Sequence, residues 1–456
     1  MTMRHALVLD QGGSFLDVIA APPDGGPARI AKRPRAEATD IAAAIIDFCQ
    51  AEGIIPASIT IATTLPANAL LTGTASPVAL LTTAGFEDLP DLGRQSRRDP
   101  DALDPPPPTP AWLSPPALRF GIPGRIDARG EEVVPLDLST LPSLPAGLPV
   151  ALCLLFAHRN PVHENRIAAR LPPGTPLSLS HRVDPETREF ERMLATMLDA
   201  SLKPLVATTL APVAQALVAA GLPEPRFALA DGRAATPGEA LAAPLPLVLS
   251  GPAAGARAVA RWAGAVPFAI GLDMGGTTAE VSLVRDGAPL ETRTIRLGPM
   301  EFRCRALDVE SIAIGGDALT QAARAAGWLP GAGTADAESL AVAEAMLAES
   351  LRRIALRRNI HPDLALLVAG GGFGPLLAAG IAGIIGCPRV LIPPAPGLMA
   401  ASGLLDTPPR LPTTWNHRQG ADGALLLDDG TATARVPPGW RVTPRDDGAL
   451  LLDAAA

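Results

Sequence analysis

Two periods of apolar and polar positions run along this chain, and the short-period stretches return in a repeated frame. Ala6 to Asp10 (ALVLD) is a continuous apolar run closed by an acid, which predicts a buried strand. Gln11-Gly12-Gly13 predicts a turn, and SFLDVIAA a returning strand. Ala28 to Arg33 predicts a third strand. From Asp40 to Ala51, Ile41, Ala44, Ile45 and Phe48 fall on one stripe at helical spacing. Strands are predicted at ITIAT from Ile59, VALLTT from Val78 and Val150 to Phe156. A long helix is predicted from Pro185 to Leu202, ending before Pro204 because proline lacks the N–H and clashes with the preceding turn. A second unit begins near Leu247. There Phe268 to Asp273 is a strand, Gly275-Gly276 a turn, AEVSLV a strand, Asp286-Gly287 a hairpin turn and LETRTIRL a third strand. Ala337 to Asn359 is the longest helical pattern, and a strand from Leu364 to Ala369 opens into Gly370-Gly371-Gly372-Phe373-Gly374-Pro375 and a helix.

ALVLDQGGSFLDVIA and AIGLDMGGTTAEVSLV share one order: apolar strand, Asp, any residue, Gly-Gly, Ser or Thr, then a strand with a carboxylate near its start, Asp17 or Glu280. One such hairpin is ordinary, whereas two agreeing in order and flanks, with Asp10 and Asp273 263 residues apart, imply a duplication. Glycines at 12 and 13 and at 275 and 276 allow positive φ and bring backbone N–H groups up to an anion. Ser14, Thr277 and Thr278 add hydroxyl donors. Asp10 and Asp273, the candidate catalytic residues, sit where a carboxylate can hold hydrated Mg²⁺. Gly371, Gly372 and Gly374 lie in a third glycine cluster, between a strand and a helix, as an adenosine-contacting turn would. GGGFGP is not GxGxxG, and no GxxxxGK[ST] is present.

A length of 456 residues implies more than one domain. The 48% apolar and 18% charged shares fit a globular chain, and a net charge of -8 argues against a general nucleic-acid binder. Cys49, Cys153, Cys304 and Cys387 are far apart and form no metal-type pair, which fits a reduced, cytoplasmic setting. The N-terminus lacks the apolar core of a signal peptide, and the longer apolar stretches are broken by Pro, Gly or charge, so no bilayer span is expected. From Ser96 to Pro149, with a Pro105–Pro108 run, short apolar pieces predict extended chain packed on a domain.

Two phosphate hairpins and a late glycine turn resemble the actin, sugar-kinase and heat-shock-chaperone ATPase superfamily. Further segments resemble the ATP-binding A subunit of the hydantoinase/5-oxoprolinase family, which includes N-methylhydantoinase A and subunits of acetone carboxylase. ATTLPANALLTG (Ala62 to Gly73) is similar to HGTTVATNAL, and ALLTTAGFEDLPDLGRQ (Ala79 to Gln95) to ALVTTKGFRDVLEIGRQ. LLFAHRNPVHENRI matches SYLNPxHE through Asn160, Pro161, His163 and Glu164. SHRVDPETREFERMLAT matches a family segment through Ser180, Arg188, Glu189, Glu191, Arg192 and Thr196. SGPAAG (Ser250 to Gly255) parallels SGPAGG, and GGFGPLLAAGIAGIIGCPRVLIPPAPGLMAASGLL resembles GGAGPLHACALAxELG…VLVPPNPGVLSALGLL. The similarity runs in order from about residue 6 to about residue 406.

The resemblance implies an α/β fold of two duplicated actin-like (ribonuclease H-like) domains around a nucleotide cleft, with an insertion and a short β-rich tail. The expected domains are 1–245, 246–406 and a tail at 407–456. It further implies ATP and Mg²⁺ as cofactors and phosphorylation of the amide oxygen of a small cyclic amide, such as a hydantoin or 5-oxoproline, before ring opening. A hydantoinase B-type partner subunit and an oligomer are expected, with no nucleic acid and no membrane. A regulatory or assembly ATPase and a small-molecule kinase are the alternatives. The family's histidines fall at Ile61, in the stretch Asp308 to Asp317, and at Leu377, and its second-hairpin Asp is Glu280. With those histidines lost, phosphate binding is expected to persist and hydantoinase activity of the isolated chain to be weak or absent. Glu310 is expected in a glycine-rich turn near the cleft, while Arg188, Glu189 and Arg192 are candidates to line it.

Overall fold

The computed structural model describes residues 4–36, 40–95, 101, 108–333 and 338–455, and two of its sheets share one plan. In the first, β1 (Arg4–Gln11), β2 (Phe15–Ala21) and β3 (Arg29–Pro34) form an antiparallel meander, and β4 (Ile55–Thr63) lies parallel to β1. Leu7, Val8 and Leu9 of β1 are all buried, as a strand covered on both faces requires. The crossover to β4 is the helix Ile41–Glu52, whose stripe of Ile41, Ile45 and Phe48 packs on the sheet. Asp40 caps it by accepting the N–H groups of Ala42 and Ala43.

The second sheet repeats this connectivity. β5 (Phe268–Met274) pairs antiparallel with β6 (Ala279–Arg285), β6 pairs antiparallel with β7 (Val309–Ile312), and β8 (Leu366–Gly370) lies parallel to β5. The tail does not stand apart from this sheet, since Leu450–Ala454 pairs with Arg389–Ile392 and extends it.

Three expectations need correction. The segment expected as the third strand of the second unit, LETRTIRL, instead pairs with Met300–Leu307 as a separate two-stranded ribbon, and β7 takes the third place. The ribbon's apolar residues Ile295, Leu297, Met300 and Phe302 find their cover in the first half, among Leu70, Val78, Phe190 and Leu198. At its tip, a Cβ on Gly298 would come within 2.8 Å of Leu71 in α1 (Leu65–Thr72).

The long helix, α2 (Glu189–Ala219), does not stop at Leu202 but runs through Pro204 and Pro212. An interior proline costs about 3 kcal/mol. Val206, Leu210 and Leu217 continue the buried stripe beyond Pro204 into the first core, and that burial outweighs the loss. By length and composition α2 could also cross a membrane, but it buries Glu191, Arg192, Asp199 and Lys203 inside the protein.

Arg192 does not line the cleft. Fully buried, it donates to the Leu154 carbonyl at 2.8 Å and to the Ser180 hydroxyl at 3.2 Å. Glu164 accepts from the same Ser180 hydroxyl and from the Leu154 N–H, so these motif residues tie the inserted four-stranded sheet to α2. Arg188 and Glu189 border a separate small depression beside Arg94. Of the proline-rich stretch, 96–100 and 102–107 fall outside the described residues; from Pro108 onward it packs as expected, with Leu113 fully buried.

Candidate functional site

The two hairpins match position by position. Asp10 on β1 lies opposite Asp17 on β2, and Asp273 on β5 lies opposite Glu280 on β6. Gly12 N–H donates to the Phe15 carbonyl and Gly275 N–H to the Thr278 carbonyl, each at 3.0 Å, so both turns close with the same bond. Like charges directly opposite one another destabilise a sheet, and the arrangement occurs here twice.

Both acid pairs face one cleft of about 1290 Å³. It is lined by Asp10, Gly12, Gly13 and Ser14 from the first hairpin and by Asp273, Gly275, Gly276, Thr277 and Thr278 from the second. Gly371 and Gly372 line it too, whereas Gly374 is buried beneath β5, near the Leu272 carbonyl, and does not. The N–H groups of Gly13, Ser14, Gly276 and Thr277 donate no hydrogen bond among the described residues, which leaves them available to an anion.

Of the two reasons expected for glycine, positive φ and a missing Cβ, only the second holds at the Gly pairs. None of Gly12, Gly13, Gly275 and Gly276 has positive φ, because the closing bond forms in ordinary turn geometry. Absence of a Cβ is what counts at Gly276, where one would meet the Asp317 carboxylate at 2.5 Å. Gly371 alone among the candidates is left-handed, at φ 76°, and a Cβ there would strike the Met274 carbonyl at 2.3 Å.

α3 (Ser250–Ala263) begins with the SGPAAG segment and passes both acids. A Cβ on Gly251 would sit 3.2 Å from Asp10 Oδ1, and one on Gly255, a helical turn later, 3.1 Å from Asp273 Oδ2. Sequence reasoning found this segment only as a resemblance. Its physical content is that two glycines on one helix face let two carboxylates approach.

Burial raises the Asp10 carboxyl to about 7, with Asp17 adding to the rise, Lys32 opposing it and Glu280 adding again. Asp273 is raised to about 8 by burial, then by Glu280 and Asp10. Glu280 is also pushed upward by burial, against the hydrogen bonds of Thr278 and Ser311. Asp10 Oδ1 is buried with no hydrogen-bond partner. Lys32, missed in the sequence, donates to Asp17 Oδ1 at 2.9 Å and to the Gly397 carbonyl of the second half at 2.9 Å. No local signal marks it, because only the register of β3 on β2 brings it opposite Asp17. Thr431, from the tail, also reaches the lining and accepts the Gly397 N–H at 3.2 Å.

Glu310 is not in a turn. It lies on β7 and pairs with Arg357, while Asp308 pairs with Arg358 at 2.7 Å. Among the described residues, no group of three or more His, Cys, Asp or Glu is placed to hold a metal. A hydrated Mg²⁺ needs only one or two carboxylates. Asp10, with its unpartnered oxygen, and Asp273 fit that requirement.

Comparison with known proteins gives the family and the fold. The family model described as Hydantoinase/oxoprolinase matches residues 192–334 and 332–406. The model of the Hydantoinase/oxoprolinase N-terminal region matches 6–172. An uncharacterised protein of Methanocaldococcus jannaschii is 30% identical over 320 residues, covering 65% of this chain and 46% of its own length. Caprolactamase subunit alpha of Pseudomonas jessenii is 26% identical over 338 residues, covering 69% of this chain and 48% of its own. The chain thus spans about half the length of the curated relatives it matches. The crystal structure of an ATP-dependent caprolactamase from Pseudomonas jessenii superposes with a TM-score of 0.81 at 18% identity, covering 99% of this chain and 100% of that one. Nucleotide-free acetone carboxylase gives 0.71 at 17% identity, covering 93% and 72%. The fold is that of two duplicated actin-like, ribonuclease H-like domains. The chain belongs to the hydantoinase/oxoprolinase family.

Proposed function

We propose, with membership of the hydantoinase/oxoprolinase family as the premise, that this chain binds ATP between its two hairpins and phosphorylates the amide oxygen of a small cyclic amide, which water then opens. The observation that carries this reading is the doubled acid pair, Asp10 with Asp17 and Asp273 with Glu280, facing one cleft beside unbonded turn N–H groups. Buried like charges are costly to retain and answer to a polyvalent cation and phosphates.

The turn N–H groups of Gly13, Ser14, Gly276 and Thr277 and the hydroxyls of Ser14 and Thr277 hold phosphate oxygens. Gly371 and Gly372 let the base and ribose approach the backbone. Asp10 and Asp273 hold hydrated Mg²⁺, which when bound offsets the charge on the phosphates. Positioning and charge neutralisation are most of what phosphoryl transfer asks of a protein. Lys32 opposes the upward push that burial gives the Asp17 carboxyl and ties β3 to Gly397 in the other half.

The subunit designation of the Pseudomonas jessenii relative supports a partner subunit, for which a hydantoinase B-type chain is the candidate. ATP turnover measured across a panel of cyclic amides, with and without such a partner, tests the reading. Turnover stimulated by a cyclic amide, with the ring-opened acid as product, is the expected result. Turnover indifferent to every ring compound would favour a regulatory ATPase instead, and a stable phosphorylated product a kinase.

A further inference from the structure

The cleft is longer than one ligand needs. Its volume of about 1290 Å³ exceeds the roughly 300–1,000 Å³ of a typical small-molecule site. The two ends differ in character. Beyond Asp273, the lining is Phe373, Leu329 and Thr320, next to the glycine turn. Beyond Asp10, β4 leads from its end beside β1 into α1, and Thr64, Asn68 and Leu71 there face Thr292, Thr294 and Leu297 of the ribbon. Leu71 and Gly298 meet at the rim of this chamber.

The chamber's uncharged polar groups are hydroxyls and one carboxamide, and Arg296 and Glu301 lie at the same end. Asn68 is exposed to the cleft, and its side-chain amide makes no hydrogen bond among the described residues. A carboxamide presents an N–H donor and a C=O acceptor side by side. That is the complement of the cis N–H and C=O in a lactam or imide ring, and it leaves the ring oxygen a second lone pair. The cation at this end, Arg296, already donates to Glu301 at 2.9 Å. A ligand carboxylate would therefore meet Arg296 only as one half of an ion pair, beside the Glu301 carboxylate that repels it.

We propose that this chamber is the acceptor subsite, that Asn68 reads the ring amide, and that the site prefers an uncharged cyclic amide to one bearing a carboxylate. The inference rests on the ATP-dependent reading above. Its test uses the full chain with Mg²⁺ and a non-hydrolysable ATP analogue, titrated by calorimetry with 2-piperidinone and with 5-oxoproline. The expected result is binding of the neutral lactam, weaker binding of 5-oxoproline by roughly tenfold, and a loss of roughly tenfold in lactam affinity in Asn68→Leu and Asn68→Asp. Both variants should keep the thermal shift given by the nucleotide analogue. Asn68→Asp keeps the size and the acceptor while losing the donor, so it decides the matter if Asn68→Leu fails to fold. Tighter binding of 5-oxoproline, unchanged lactam affinity in both variants, or no lactam binding while the analogue binds would each overturn the subsite. No binding of the analogue to the unaltered chain would sink the parent reading, and this inference with it.

Discussion

Lys32 and Ser311 occupy the same place in the two halves: Lys32 on β3 lies opposite Asp17, and Ser311 on β7 lies opposite Glu280. The first acid pairs with an ammonium group at 2.9 Å, whereas the second accepts only from hydroxyls, Thr278 at 2.8 Å and Ser311 at 3.3 Å. Duplication kept the acids and let their compensation diverge.

Lys32→Met should leave Asp17 without its cation and cost about 2 kcal/mol in urea unfolding, since hydrogen bonds to charged groups are worth more than neutral ones. Ser311→Ala removes one of two hydroxyl donors and should cost about 1 kcal/mol or less. Equal costs would show that the two halves are compensated alike.

The raised carboxyls make stability depend on pH with a definite sign. Asp10 and Asp273 hold their protons up to about 7 and about 8 in the folded chain, whereas an unfolded Asp releases its proton near pH 3.9, as model peptides do (~3.9). Between about pH 4 and pH 8 the folded state binds more protons, so stability falls as pH rises through that window. Melting temperatures taken in chelator from acid to neutral pH should decline, and Asp10→Asn with Asp273→Asn should flatten the decline. A melting temperature that climbs across the window would contradict the shifts.

Mg²⁺ with ATP should raise the melting temperature, and Asp10→Ala or Asp273→Ala should abolish the rise. Because both carboxyls are protonated part of the time near neutrality, binding should also release protons. Calorimetry in buffers of different ionisation enthalpy reads that release directly. A shift that survives in both alanine variants would remove these residues from the site.

Gly403, in α4 (Met399–Gly403), tests the crossing of that helix with α3. A Cβ there would fall 1.8 Å from the Ala254 carbonyl, inside a backbone contact that has no side chain to yield. Gly403→Ala should destabilise the chain by about 3 kcal/mol or more. Gly251→Ala, whose Cβ would press only on Asp10 at 3.2 Å, should fold normally and weaken nucleotide binding.

The hairpins were legible because each carries its whole signal within a few residues: a buried strand, an acid, a Gly pair and a return strand. The helix Ile41–Glu52 was legible for the same reason, its stripe and its Asp40 cap being local. Lys32 was not, since its role arises only when β3 falls into register with β2. The ribbon failed for a related cause: ETRTIRL alternates as any sheet strand does, and nothing local says that Ile295 packs in the first half. α2 was cut short because Pro204 is a strong local stop, overruled by burial of Val206 and Leu210 far from it in sequence. Of the two uses expected of the Gly pairs, positive φ is not realised, and at Gly276 the missing Cβ leaves space beside Asp317.

The ribbon also sets a clock for biosynthesis. Phe302 and Met300 complete the interior around Phe190 and Met197, so that cluster stays open until the ribosome has passed Leu307. At roughly 5–20 residues per second, that is a wait of several seconds with an apolar face uncovered. Residues 1–245 made alone would keep that face open for good, and aggregate where the whole chain folds. The nascent N-terminal half thus carries an uncovered apolar face until the arm that covers it has been translated.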